Sequence, residues 1–210
     1  MQKAYEMYLD RRLVHGDERL SSVLDELGYT TGAGYQIWAN QAAFRADLQV
    51  FIAENIEYAS LKTIAHKIAE LAAQDLPFDQ HVLRGGDQYF EVFIGREEFY
   101  LTLRFFAMAE DRPDEIREAL LDSYERSAWE TTELFNMAFD RFDLRIKPHL
   151  QMSDLTAAAT ALVEGYALRG RIQPEVAERK VEYMGATHYT FSVAFLALVR
   201  EFTESIAAGS

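Results

Sequence analysis

Gly28-Tyr29-Thr30-Thr31-Gly32-Ala33-Gly34-Tyr35-Gln36-Ile37-Trp38-Ala39-Asn40-Gln41 is the stretch on which the fold turns. Just upstream, Leu20, Val23, Leu24 and Leu27 recur at helical spacing. They predict a helix over residues 18–27 with Asp17 as its N-cap. Gly28 is placed to end that helix in the left-handed conformation. Thr30 then starts a third, short helix over residues 31–38, and Asn40 caps a fourth that begins at Gln41. Two short helices joined by a tight glycine turn form the helix-turn-helix pattern. Thr30, Thr31, Gly32, Ala33 and Gln36 give the second helix a small or hydrogen-bonding outer face, while Tyr29, Ile37 and Trp38 are expected to pack inward. Gly32 and Gly34 weaken that helix by roughly 1 kcal/mol each relative to alanine, so a close backbone approach is expected there.

Outward from this segment, helical spacing dominates and strand signals are scarce. Tyr5, Tyr8 and Leu9 share a face of a first helix over residues 4–12. The fourth helix has apolar positions as far as residue 73. Pro77, Gly85 and Gly86 predict a loop over residues 75–87, with Arg84-Gly85-Gly86-Asp87 read as a turn. Helices over 88–94 and 97–110 follow, separated by Gly95. Pro113 and Asp114 open a long helix whose apolar face runs through Ile116, Leu120, Tyr124, Phe135, Phe139, Phe142 and Ile146 to Pro148. Ser153 or Asp154 caps the next helix, which ends near Gly170. Residues 175–206 read as helical with an interruption at Gly185. The expected class is all-α: a three-helix N-terminal domain over 1–50 and a larger helical domain over 51–210.

The apolar share, 49% of 210 residues, supports a substantial core. No cysteine is present, so disulfides, thiolate zinc sites and a cysteine nucleophile are excluded. Residues 1–10 lack the apolar segment of a signal peptide, and no uncharged apolar run reaches the roughly 18 residues of a membrane span. A cytoplasmic chain without a membrane partner is expected. The net charge of −13 argues against broad affinity for nucleic acid or anionic membrane. It leaves room for a local DNA-reading surface.

Residues 28–41, followed by Phe44 and Leu48, resemble the signature of the TetR family of transcriptional regulators. The layout of small N-terminal helices before a larger helical domain agrees, and residues 160–169 resemble the family's penultimate helix. The resemblance implies a homodimer that binds double-stranded operator DNA as a repressor, controlled by a small-molecule effector. It implies that Thr30 hydrogen-bonds a phosphate at a helix N-terminus. Thr31, Ala33 and Gln36 would face the major groove, where Gln36 can pair with adenine and the Ala33 methyl can touch a thymine methyl. Tyr35 would donate to a phosphate, Trp38 would lock the third helix to the core, and Asn40 would cap the fourth. Two features depart from the pattern. Gln41 stands where the family usually has a phosphate-binding lysine, and residues 1–60 hold five Lys/Arg against nine Asp/Glu. Arg19, with Arg11, Arg12 and Arg45, is the available basic rim. The acidic balance keeps open a helical dimer that has lost operator binding and captures a ligand or protein instead.

In the larger domain, residues 89–142 are rich in aromatics. They are either ordinary core or the wall of an apolar pocket for an apolar or aromatic ligand. Phe93, Phe105, Tyr124, Trp129, Phe139 and Tyr166 are the candidate ligand contacts. Glu133 is a candidate polar contact, with Glu130 and Asn136, unless these form a solvated face. The helices near residues 153–169 and 188–205 carry small residues (Ala157, Ala158, Ala161, Gly165, Ala194) suited to close helix packing, so dimerisation is placed there. The five histidines form no metal-like spacing, and no P-loop, dinucleotide fingerprint, HExxH or nucleophile elbow occurs. No enzymatic activity, metal or cofactor is expected.

Overall fold

Helical spacing in the sequence becomes helix over most of the chain in the computed structural model, which describes residues 1–9, 19–55, 73–95 and 113–206 together with Lys67, Glu70, Leu71 and Tyr100. The chain divides into two compact units, Met1–Tyr58 with Glu97–Tyr124, and Ala59–Arg96 with Glu125–Ser210. The predicted 97–110 helix, except Tyr100, and residues 56–66 of the fourth helix lie outside the described residues.

In the first unit, α1 is Gln2–Leu9, α2 Leu20–Leu27, α3 Thr31–Tyr35 and α4 Gln41–Asn55. Three of the four residues of the expected apolar stripe pack: Leu20, Val23 and Leu24 join Tyr5, Tyr8, Phe44, Leu48 and Ile52 in one core, whereas Leu27, in the last turn of α2, is exposed. Gly28 ends α2 with φ 73°, a conformation that a side chain would strain. Asn40 caps α4, its Oδ1 accepting from the Ala43 N–H at 2.9 Å. Ile116, Ala119 and Leu120 pack with Ala53 in a second cluster of this unit. They belong to α6, Pro113–Arg141, whose residues from Glu125 onward are in the other unit.

The second unit contains α5, Phe78–Ile94; the rest of α6; β1, Leu144–Ile146; and α7, Met152–Gly170. After these come α8, Pro174–Ala177; β2, Lys180–Tyr183; β3, Ala186–Tyr189; α9, Thr190–Phe202; and β4, Thr203–Ser205. Val82, Leu83, Phe135, Phe139, Leu155, Leu196 and Val199 form its core. Asp154 is at the third helical position of α7, not its cap. Its carboxylate reaches back to the Gln151 N–H at 2.8 Å.

The all-α expectation holds for the bulk of the described residues and is corrected by two small antiparallel sheets, β1–β4 and β2–β3. β2 and β3 pair in register from Lys180↔Tyr189 to Tyr183↔Ala186. Met184 and Gly185 turn between them at φ 52° and 82°, the two positive φ values of a tight hairpin loop. The interruption expected at Gly185 is therefore a hairpin. The long helix stops at Arg141, short of the predicted Pro148, because Asp143 turns left-handed at φ 50° and residues 144–146 pair with the segment after α9.

The predicted loop over 75–87 is corrected most sharply, since α5 runs through both glycines. Gly86 explains why. A Cβ there would lie 3.1 Å from the Ser192 Cβ and Oγ and 3.3 Å from its Cα, so the glycine lets α5 and α9 approach closely. Gly85 differs, because a Cβ there would make only ordinary contact with Leu71, at 3.6 Å. Gly85→Ala is expected to raise the thermal midpoint, by up to about 1 kcal/mol of helix propensity. Gly86→Ala is expected to lower it, since overpacking of about 1–3 kcal/mol exceeds that gain. Paired melting curves check the opposite signs.

Candidate functional site

Thr30, Thr31, Tyr35 and Gln36 are exposed and Ala33 is half-exposed, so the predicted reading residues lie at the surface of α3 and its ends. Thr30 occupies the N-cap position, but its hydroxyl makes no cap hydrogen bond. The close approach expected at the glycines is internal at Gly34. A Cβ there would fall 2.5 Å from Leu24 Cδ1 and 3.0 Å from Leu20 Cδ2, so this glycine seats α3 on α2. Gly32 has open space around it. Tyr29 and Ile37, expected to pack inward, are 61% and 72% exposed. Gly34 already makes the inward contact, leaving these two at the rim. Trp38 does anchor the segment: its ring meets Phe44 edge-on at 5.2 Å, and its Nε1 donates to Asp47 at 3.1 Å.

Gln41 is tied inside the unit. Its Oε1 accepts from the Leu20 N–H at 2.9 Å, satisfying the first turn of α2. Arg19 is exposed beside that turn. Lys3 is held by Glu26 at 3.5 Å and Glu6 at 4.0 Å. Arg11 and Arg12 lie outside the described residues.

The second unit has a partly open cavity of about 110 Å³ among α5, α6, α7 and α9. Phe78 and Val82 of α5, Phe135 and Phe139 of α6, and Phe195 and Val199 of α9 form most of its apolar wall. Among the described residues no Asp, Glu, Lys or Arg lines it. The polar groups in the lining are His81, Tyr89, Thr131 and Thr160. His81 is 6% exposed, packs edge-on to Phe142 at 5.2 Å, and its Nδ1 has no hydrogen-bond partner. Burial, helped by the positive Arg141, holds its pKa below the usual 6.5. Burial and the Glu164 carboxylate push the Tyr89 phenol up, so it stays protonated.

Of the ligand contacts expected from sequence, Phe139 lines this cavity. Phe93 is buried one turn after Tyr89 in α5, with its ring 6.0 Å from that of Tyr89, and Tyr166 packs edge-on to Phe90 and Phe191. Neither is in the lining. Trp129 and Glu133 are exposed, as are Glu130 and Asn136. Tyr124 belongs to the first unit, and Phe105 lies outside the described residues. The spacing Phe78, Val82, Gly85, Tyr89 was the available signal for His81 and its neighbours, because it keeps one helical face running through the glycines.

The depressed pKa of His81 has a consequence for stability. The unfolded chain takes up a proton near pH 6.5, whereas the folded chain resists until lower pH. The folded state thus binds fewer protons, and stability falls as the pH drops below about 6.5. Thermal midpoints from pH 8 to pH 5 are expected to fall more for the wild type than for His81→Leu.

Beside the cavity, Asp87 ties three elements together. Its Oδ1 accepts from the Tyr189 N–H at 3.0 Å and the Ser192 hydroxyl at 2.6 Å, and its Oδ2 lies 2.7 Å from His188 Nδ1. The carboxylate thereby sits at the N-terminus of α9, where the helix dipole favours it. Tyr189 adds a hydrogen bond to Glu91 at 3.2 Å, and Lys180 lies over the Tyr189 ring at 4.3 Å. These contacts are structural, joining α5, the hairpin and α9.

No family model matches the chain, and no curated protein matches it. Among solved structures, the reduced form of E. coli NemR is similar in fold, with a TM-score of 0.56 at 15% identity over 97% of each chain. The likeness covers nearly the whole length and is one of architecture: mainly helical, with small strands. Among the described residues, no helix is long and apolar enough to cross a membrane.

Proposed function

We propose that this chain is a TetR-type transcriptional regulator without enzymatic activity: a homodimer that reads operator DNA with α3 and releases it when a small, largely apolar molecule occupies the second unit. One observation carries the reading. A glycine-turned helix pair is fixed by Gly34 and Trp38, and it leaves Thr30, Thr31, Tyr35 and Gln36 exposed together. An acceptor-and-donor side chain such as Gln36 suits adenine in the major groove. α7 offers Ala157, Ala161, Gly165 and Leu168 to solvent as the face for a second subunit. α6 supplies Ile116 and Leu120 to one core and Phe135 and Phe139 to the cavity wall, so it is the element through which occupancy would be felt. Two reading helices must span about 34 Å in the dimer, so a ligand that favours another spacing shifts the population off DNA.

Selection of duplexes from a random pool, followed by gel shifts at low salt, tests this. A defined sequence should emerge, and Gln36→Ala should lose about 1–3 kcal/mol of base discrimination at one position. The second reading, a ligand- or protein-binding dimer without an operator, is favoured by Gln41 being tied to Leu20 and Lys3 to Glu26. No selected sequence from a dimeric sample would establish it instead.

A further inference from the structure

We propose that the cavity of the second unit binds an uncharged, single-ring alcohol or phenol whose hydroxyl pairs with His81. This rests on reading the cavity as the effector site and names the chemistry of the effector. Size sets the first limit. At about 110 Å³ the space is of the order of the roughly 150 Å³ apolar cavity that holds benzene, and it is partly open, so a single ring is the group it suits. Charge sets the second. The described lining contains no ionic side chain, so a carboxylate or ammonium would enter without a counter-charge, and burying such a group is costly.

His81 sets the third limit. A buried polar atom normally has a partner, yet its Nδ1 has none. Burial keeps the imidazole neutral, so Nδ1 is either a bare acceptor or an N–H donor. A hydroxyl can donate to the first and accept from the second, so it fits either tautomer. A carbonyl fits only one, and a hydrocarbon fits neither. The Tyr89 phenol, held protonated, is a further neutral polar group of the same lining. The ring itself faces Phe135, Phe139 and Phe195, where edge and offset contacts are favourable.

Calorimetric titration of the full-length protein with phenol, toluene and benzoate tests the proposal. Phenol and toluene have nearly the same shape, so their difference reports the hydroxyl. Phenol is expected to bind at least tenfold tighter than toluene, and benzoate is expected not to bind. In His81→Leu the preference for phenol over toluene should vanish. Gly85→Leu, which fills the cavity from a position with room for a side chain, should abolish binding of both. If His81→Leu fails to fold, nitrogen NMR of the wild-type histidines decides instead: phenol, and not toluene, should move the His81 ring signals.

Equal affinities for phenol and toluene, benzoate binding as tightly as phenol, or Gly85→Leu binding as well as wild type would each overturn the proposal. These titrations contain no DNA. Phenol binding that leaves DNA occupancy unchanged would remove the regulator reading and leave this site standing. DNA release by a molecule that does not compete with phenol would keep the regulator reading and remove this site.

Discussion

Asp87→Ala is expected to destabilise the chain by about 3–5 kcal/mol, the cost of breaking a largely buried charge-assisted network. The size follows from what alanine would strand. His188 and Ser192 are 4% and 0% exposed, so neither can turn to water for the partner it loses. The Tyr189 N–H loses its acceptor at the start of α9, and that helix loses a negative group at its positive end. The three bonds span 101 to 105 residues of sequence, so they also hold the hairpin and α9 against α5. Asp87→Asn should cost less, because its one carbonyl oxygen can still accept from Tyr189 and Ser192 while its amide faces His188. The double variant Asp87→Ala, His188→Leu should lose less than the sum of the two single changes, as expected for groups in contact. Guanidinium unfolding midpoints measure all of these. A wild-type midpoint for Asp87→Ala would show that the network contributes nothing.

What the sequence made visible and what it hid divide along one physical line, that of local against distant causes. Gly28 and Asn40 act on backbone within a turn of themselves, so their roles could be read directly and the structure shows them. Gly86 has a distant cause. A glycine pair mid-segment reads as a loop on propensity alone, and only Ser192, 106 positions away, shows that the helix needs a glycine there. The close approach expected at Gly34 did not name its partner, and Leu20 and Leu24 are the side chains that come close. The β2–β3 hairpin carried a signal that was outweighed. Val181, Tyr183, Thr187 and Tyr189 alternate about Gly185, a strand period, but they sit in a chain otherwise dominated by helical spacing. The aromatic-rich stretch 89–142 includes Tyr89, Phe135 and Phe139 of the cavity wall. Its richness could not separate Phe135 and Phe139, which face the cavity, from Trp129 on the same helix, which is 66% exposed. The spacing Phe78, Val82, Gly85, Tyr89 could have placed His81 on a helix, but burial without a partner is a tertiary property that no spacing shows.

Phe44→Ala is the second change with a large expected effect, again about 3–5 kcal/mol, this time from lost transfer energy and an unfilled cavity. Phe44 is 1% exposed and belongs to the cluster built from α1, α2 and α4. Its ring also supports Trp38 edge-on at 5.2 Å, and Trp38 is the contact that carries the end of the α3 segment onto α4. Removing the ring therefore weakens the core and loosens α3 at once. The two effects separate by comparison with Trp38→Phe, which keeps an aromatic ring but loses the hydrogen bond to Asp47, worth about 0.5–1.5 kcal/mol, together with part of the ring's packing. If Trp38 holds α3 in its reading position, Trp38→Phe should weaken operator binding more than its small stability loss accounts for, and Phe44→Ala should abolish binding even at a temperature where circular dichroism shows the chain folded. Binding that follows the folded fraction alone in both variants would mean that α3 is held by Gly34 against α2 and owes nothing to Trp38.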